Sequence, residues 1–406
     1  MKRLLFTLFL SLFALVICAQ IESTGLSGLY EDVLHGCALE EDTLFTYGEK
    51  GVYSYDLKKR DKWEMFCETD NTVHQFYKNK NIVIIAFLNS DGTSWTNKLH
   101  ISEDYGNSFR EITTPGFADF IVYNEKIYLS STERKLYSTL GAVYVSEDLG
   151  QNWERMSWMI DDYETNTLRG RPTICKNPYD DIFYVYGPIS GIDGIFSYFN
   201  ISYDGLKSFE HHVRYREILA PSEDVDAQGE YTHLGMMAFT PKDKNTILIT
   251  TSRGLDKTSD GGITWRTSLD VCDQENGVTK SVLFDALNPE VAYTPLYNKN
   301  KGGWAIYYTK DMGDTWDVLL PLNPEEGNEL NDYFLIYLFC SSGNYLYFTD
   351  IKDVYRIDVS SIQTGISSVS AEGNSGDGFI YDLQGRRLNA EPSHGIYIKD
   401  GKKVAR

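Results

Sequence analysis

The sequence predicts an all-β chain closed into a ring of seven similar sheets, and three observations predict it. An eight-residue pattern, Ser/Thr-x-Asp-x-Gly-x-Ser/Thr-Trp/Phe, occurs five times in one register. Its aspartates, Asp104, Asp148, Asp204, Asp260 and Asp311, stand 44, 56, 56 and 51 residues apart. Short alternating apolar runs precede the copies, in a chain carrying 29 tyrosines, 20 phenylalanines and 7 tryptophans, rings that suit pleated surfaces. A repeat near fifty residues with several strands in each describes the blade of a β-propeller.

Each part of the octad has a reason. Its aspartate accepts hydrogen bonds from the backbone amides that follow, which fixes a chain reversal between two strands. Glycine two places later supplies a backbone angle that a side chain opposes. The closing aromatic buries a large face at a seam between blades. Two copies depart from the pattern: Asn152 stands at the seventh place of the second, and Leu206 replaces glycine in the third.

The strands leading into the octads are residues 98–101, 142–145, 199–201, 254–257 and 305–308. Residues 51–56, leading to Trp63, and 353–358 carry the same strand without a full octad. Anchored on Tyr53 and Tyr355, they extend the period by about 49 and 46 residues and bring the count to seven. Further strands fit around these at 43–47, 81–87, 126–130, 181–186, 246–251, 291–294 and 345–348. Six blades is the alternative if the first or last unit is only a closing strand.

The octad resembles the Asp-box of sialidases, xyloglucanases, sortilin-like receptors and related β-propellers. The resemblance implies that Asp104, Asp148, Asp204, Asp260 and Asp311 are structural and hold the fold. It does not extend to the sialidase site, because residues 71–100 lack the arginine motif that precedes the first box in those enzymes. Xyloglucanase-type enzymes set two acidic residues across a cleft between two propellers; a single propeller gives no basis for carrying that pair over.

The ends of the chain read as addresses. Residues 1–19 join a charged start, Met1-Lys2-Arg3, to an apolar run of signal-peptide length, with cleavage expected after Ala19. A lipoprotein anchored at Cys18 is the alternative. The propeller is expected over 20–362, then a linker rich in small residues over 363–376 and a tail over 377–406 expected to form a short β-hairpin. Tyr381-Asp-Leu-Gln-Gly-Arg-Arg-Leu388 and Gly395-Ile-Tyr-Ile398 with the lysines that follow resemble the C-terminal sorting domain of type IX secretion cargo. That resemblance implies a Gram-negative exported protein, secreted, at the cell surface or in the periplasm.

Composition narrows the partners. The formal charge is −20; the leader contributes +2 and residues 371–406 contribute +1, which leaves −23 on the propeller. Such a body repels nucleic acid and anionic membranes. No segment after the leader has the length and apolarity of a membrane span. Removing the leader leaves five widely spaced cysteines, Cys37, Cys67, Cys175, Cys272 and Cys340, so neither a disulfide framework nor a zinc site is expected. No cofactor or metal is expected, and hydrolase, metalloprotease and phosphate-loop motifs are missing.

The candidate site lies in loops on the face opposite the octads. Carboxylates Asp161, Asp162, Glu223, Asp224, Asp226 and Glu230 are the candidate catalytic groups. Trp95, Tyr137, Trp158, Tyr163, Arg169, Arg171, Tyr231 and His233 are the candidate ligand-binding groups. Aromatics with carboxylates and arginines suit glycan recognition, and paired carboxylates suit glycoside hydrolysis. The expected function is binding of an extracellular glycan or protein through this face, without catalysis. The alternative is a glycoside hydrolase or lyase acting through two of the carboxylates. A third reading, an assembly factor of the photosystem-stability type, implies a basic patch that this acidic chain lacks.

Overall fold

The structure is a computed structural model that describes residues 21–60, 62–88, 95–116, 119–135, 138–158, 172–191, 194–215, 234–270, 281–298, 303–322, 337–342, 344–350 and 352–363, with 380–381, 387–388, 396–399 and 402–405 of the tail. The chain divides into two compact units, Met1–Gln363 and Thr364–Arg406.

The first unit is a seven-bladed β-propeller. Seven antiparallel sheets of four strands follow one another along the chain. Blade one is Leu34–Glu40, Thr43–Gly48, Gly51–Asp56 and Trp63–Glu68. Blade two is Val73–Asn79, Ile82–Leu88, Trp95–Ser102 and Arg110–Thr113, and blade three Asp119–Tyr123, Lys126–Lys135, Ser138–Ser146 and Glu154–Trp158. Blade four is Thr173–Lys176, Phe183–Gly191, Gly194–Ser202 and His211–Arg214; blade five Leu234–Phe239, Ile247–Thr251, Gly254–Thr258 and Arg266–Asp270. Blade six is Leu283–Phe284, Ala292–Asn298, Gly303–Thr309 and Asp317–Leu322. First strands touch between blades one and two, three and four, five and six, and six and seven. Gln75 donates to the Phe120 carbonyl between blades two and three, and Tyr186 to the Gly235 carbonyl between blades four and five. The first strand of blade seven touches that of blade one, so the ring is closed.

Blade seven takes Tyr337–Ser342, Tyr345–Thr349 and Val354–Asp358 from the end of the unit, and its outer strand, Ile21–Ser23, from the beginning. Ile21, Glu22 and Ser23 pair with Ile357, Arg356 and Tyr355. Asp353, almost wholly buried, accepts from the hydroxyls of Ser23 (2.7 Å) and Ser27 (2.8 Å) and from the Leu26 amide (3.1 Å). Arg356 pairs with Glu22 at 2.7 Å. The first and last units are therefore full blades, which removes the six-bladed alternative. The strands Glu154–Trp158 and Asp317–Leu322 also run into stretches that the sequence alone reads as loop.

All five octads form one turn. In the second copy the Ser146 hydroxyl donates to Asp148 Oδ1 (2.9 Å) and accepts from the Gly150 amide (2.7 Å). The Asn152 amide reaches Asp148 Oδ1 at 2.8 Å, and its side chain reaches Oδ2 at 2.7 Å. Ser102/Asp104/Ser108, Ser202/Asp204/Ser208, Thr258/Asp260/Thr264 and Thr309/Asp311/Thr315 repeat the arrangement. The carboxylate is thereby satisfied inside its own turn. These bonds hold Asp104, Asp148 and Asp204 at about 2, led by the Ser108 hydroxyl, the Asn152 amide and the Ser208 hydroxyl respectively.

The glycine of each octad leans on the preceding blade. A Cβ on Gly313 would lie 2.7 Å from Leu248 Cδ2, and one on Gly106 would lie 2.8 Å from Phe66 Cζ. Both glycines have φ near +90°. Leu206 holds the same place with φ +70° and keeps the turn. Its side chain is fully buried among Tyr128, Val143 and Val145 of blade three. The octad aromatics enter the same seams: Trp265 meets Phe199 edge-on at 5.4 Å, and the Trp316 indole donates to the Ser268 hydroxyl at 2.9 Å. Lys257, nearly buried, crosses the next seam to Asp314 at 2.6 Å.

The tail unit is a four-stranded antiparallel sheet in the order Arg387–Leu388, Ile380–Tyr381, Ile396–Lys399, Lys402–Ala405. Ile396–Lys399 and Lys402–Ala405 form the hairpin, and Ile380–Tyr381 extends it. Residues 1–20 lie outside the described residues.

Two outcomes follow from the octads. Leu206→Gly relieves a left-handed leucine, about 1–2 kcal/mol, but empties a buried seam, about 2–5 kcal/mol; the cavity wins, and equilibrium denaturation should show net destabilisation. Carboxyls held below their unfolded value stabilise the fold fully above pH about 4 and lose that contribution as pH falls toward 2. Thermal midpoints measured from pH 5 down to 2 should therefore drop for the wild type, and less steeply for Asp148→Asn, which starts lower at pH 5.

Candidate functional site

The path of the chain gives the two faces of the ring different connections. First-to-second and third-to-outer strand turns open on the octad face, and none exceeds eight residues. The other face takes the second-to-third turns and the passages from blade to blade. Between described strands of the propeller unit, every connection longer than ten residues joins strand ends on this face: residues 159–172, 215–233, 271–282 and 323–336.

Asp161, Asp162, Tyr163, Arg169 and Arg171 belong to the first of these passages, and Glu223, Asp224, Asp226, Glu230, Tyr231 and His233 to the second. All eleven lie outside the described residues, as does Tyr137. Trp95 opens a strand opposite Leu88 and Trp158 closes one opposite Ala142; their side chains lie outside the description. The five octad aspartates sit on the far face and are occupied with their own turns.

Two groups that sequence reasoning missed are described on the loop side. The first is a groove of ≈ 330 Å³ beside the passage from blade one to blade two, lined by Asn71, Phe87, Thr96, Lys98, His100 and Glu111. Alternation along the strand Trp95–Ser102 builds it. Leu99 and Ile101 pack with Phe120, Ile127 and Leu129 of blade three, which leaves Lys98 and His100 on the opposite side of the sheet. Phe87 meets the His100 ring edge-on at 4.8 Å. Lys98 Nζ lies 2.8 Å from Glu111 Oε1, whereas His100 Nε2 lies 3.5 Å from Oε2. Lys98, then His100, hold the Glu111 carboxyl below its usual range, so it is ionised at neutral pH.

The second group lies at the seam between blades four and five. Asp256 is 1% exposed, and its Oδ2 accepts from the Tyr215 hydroxyl at 3.0 Å. Burial raises its carboxyl to about 6 against the opposing pull of Arg253, with Tyr215 and Thr267 in hydrogen-bonding reach. Burial likewise pushes the Cys175 thiol up to about 12, which leaves it protonated and inert as a nucleophile. Cys67 and Cys175 are free thiols. Among the described residues no cluster of histidine, cysteine and carboxylate side chains has the arrangement of a metal site, and no helix is long and apolar enough to cross a membrane.

The ring is built by other proteins too. The likeness is one of fold. The xyloglucanase of Xanthomonas campestris superposes with a TM-score of 0.55 at 13% identity, over 84% of this chain and 54% of its own. The Niastella koreensis enzyme of the same glycoside hydrolase family gives 0.55 at 15% identity, over 82% and 44%. A chain of the mitotic checkpoint complex gives 0.53 at 10% identity, over 84% and 94%. The chain thus spans about half the length of the two hydrolases. No family model and no curated protein matches it in sequence.

The buried acid makes a stability prediction. A carboxyl whose folded value exceeds its unfolded one stabilises the fold below pH about 4, and this contribution is lost as pH rises to about 6. Two units amount to about 3 kcal/mol. Asp256→Asn should remove that slope, and its unfolding free energy should exceed the wild type's at pH 7 while matching it near pH 4.

Proposed function

We propose that this is an exported propeller that binds an extracellular glycan through its loop face, without catalysis. One observation carries the reading: the long passages between blades all join strand ends on one face, and the groove lined by Lys98, His100 and Glu111 lies beside the short passage from blade one to blade two, which runs on the same face. Long connections on a rigid ring are where binding groups are usually carried. A charge of −20 removes nucleic acid and anionic membranes from the candidate partners and leaves a glycan or an extracellular protein. The octads support placing the chain among Asp-box propellers. The leader and the tail, read as export signals, support a site at the surface, in the medium or in the periplasm of a Gram-negative bacterium.

Hydrolysis is the second reading, and the likeness to the two glycoside hydrolases favours it. It would draw its acid and base from Asp161, Asp162, Glu223, Asp224, Asp226 and Glu230. Residues 20–406 incubated with plant, mucin and bacterial polysaccharides should retain a glycan on an affinity gel and release no oligosaccharide on chromatography. A defined product, abolished by alanine at one of those six carboxylates, would replace the binding reading with the hydrolase.

A further inference from the structure

We propose that the groove beside blades one and two is a subsite for one ring of a neutral sugar chain, with Glu111 and Lys98 taking its hydroxyl groups against a wall formed by Phe87 and His100. This rests on the glycan-binding reading and adds the place and the class of sugar.

The geometry assigns each partner. Glu111 Oε1 is engaged by Lys98, but at 3.5 Å the contact of Oε2 with His100 is too long for a good hydrogen bond. Glu111 lines the groove on a side chain half exposed to solvent, so its carboxylate has acceptor capacity beyond the bond to Lys98. Lys98 uses one of its three donors on Glu111, and its side chain is 47% exposed, which leaves donors for a ligand. A hydroxyl can therefore donate to the carboxylate while its neighbour on the same ring accepts from the ammonium, both as charge-assisted bonds. Asn71 adds an amide that donates and accepts. Phe87 is almost buried and locked edge-on against His100, so the wall is formed before any ligand arrives.

The charge balance selects the class. Lys98 and Glu111 cancel, which leaves no surplus cation for a carboxylate or sulfate, and the whole chain at −20 repels polyanions. A volume of ≈ 330 Å³ falls at the small end of the range for ligand sites, about 300–1,000 Å³, which suits one ring with its neighbours projecting onto the open face.

Residues 20–406 are titrated calorimetrically with neutral glucan, xylan and mannan oligosaccharides and with oligogalacturonate. At least one neutral oligosaccharide should bind and oligogalacturonate should not. Glu111→Gln and Lys98→Met should each weaken binding about tenfold or more, with thermal midpoints unchanged because both side chains are exposed. Asn71→Ala, remote from the strand pairing, gives a further loss of binding at unchanged stability. Neutral binding untouched by all three variants would overturn the groove while leaving the glycan reading standing. Preference for oligogalacturonate would overturn the class of sugar. Binding of nothing in the panel would overturn both the subsite and the reading it rests on.

Discussion

Everything in the propeller depends on a carboxylate satisfied at home. The octad aspartate accepts from a hydroxyl two residues back and from the amide and side chain four residues ahead, so the turn closes without borrowing from any other element. A turn fixed that way can present its fifth residue to the blade before it at a constant angle, and the seams are built on that approach. Where glycine stands there, a Cβ would lie 2.7 to 3.1 Å from a side chain of the neighbouring blade. Where Leu206 stands, the backbone keeps the left-handed angle and the extra side chain becomes part of the seam.

The same economy explains how so acidic a chain stays folded. Aspartates in the octads add negative charge without leaving a buried ion unpaired, because each is consumed by local donors. Asp256 differs, since it lies between blades rather than in a turn, and burial raises its carboxyl to about 6. The octad aspartates are thus committed to their own turns.

The architecture was legible because the period is long, the motif is redundant and its grammar is physical. Seven blades could be counted from five octads and two bare strands, since residues 51–56 and 353–358 repeat the strand that leads into an octad. The exchange of the outer strand in blade seven was not legible, because Ile21–Ser23 is a three-residue strand whose partner lies some 330 residues away. The groove was missed for another reason. Lys98 and His100 sit inside a strand that was read as scaffold, while loops drew the search for function. Aligning the octads shows the missing signal: the residue two places before each one, His100, Tyr144, Asn200, Asp256 and Tyr307, lies on the side of its strand opposite the apolar neighbours that pack on the next blade. In blades two and five that residue is a histidine and an aspartate.

The shared last blade governs when the molecule can exist at all. Its outer strand is among the earliest residues of the ring and the three strands it joins are the latest, so no truncated product of synthesis can seal the circle. Until residue 358 has emerged, the sheet that receives Ile21–Ser23 has no template and the first blade has no neighbour on one side. A chain built in this order cannot complete its ring until its last blade has been made, so closure joins the oldest part of the propeller to the newest.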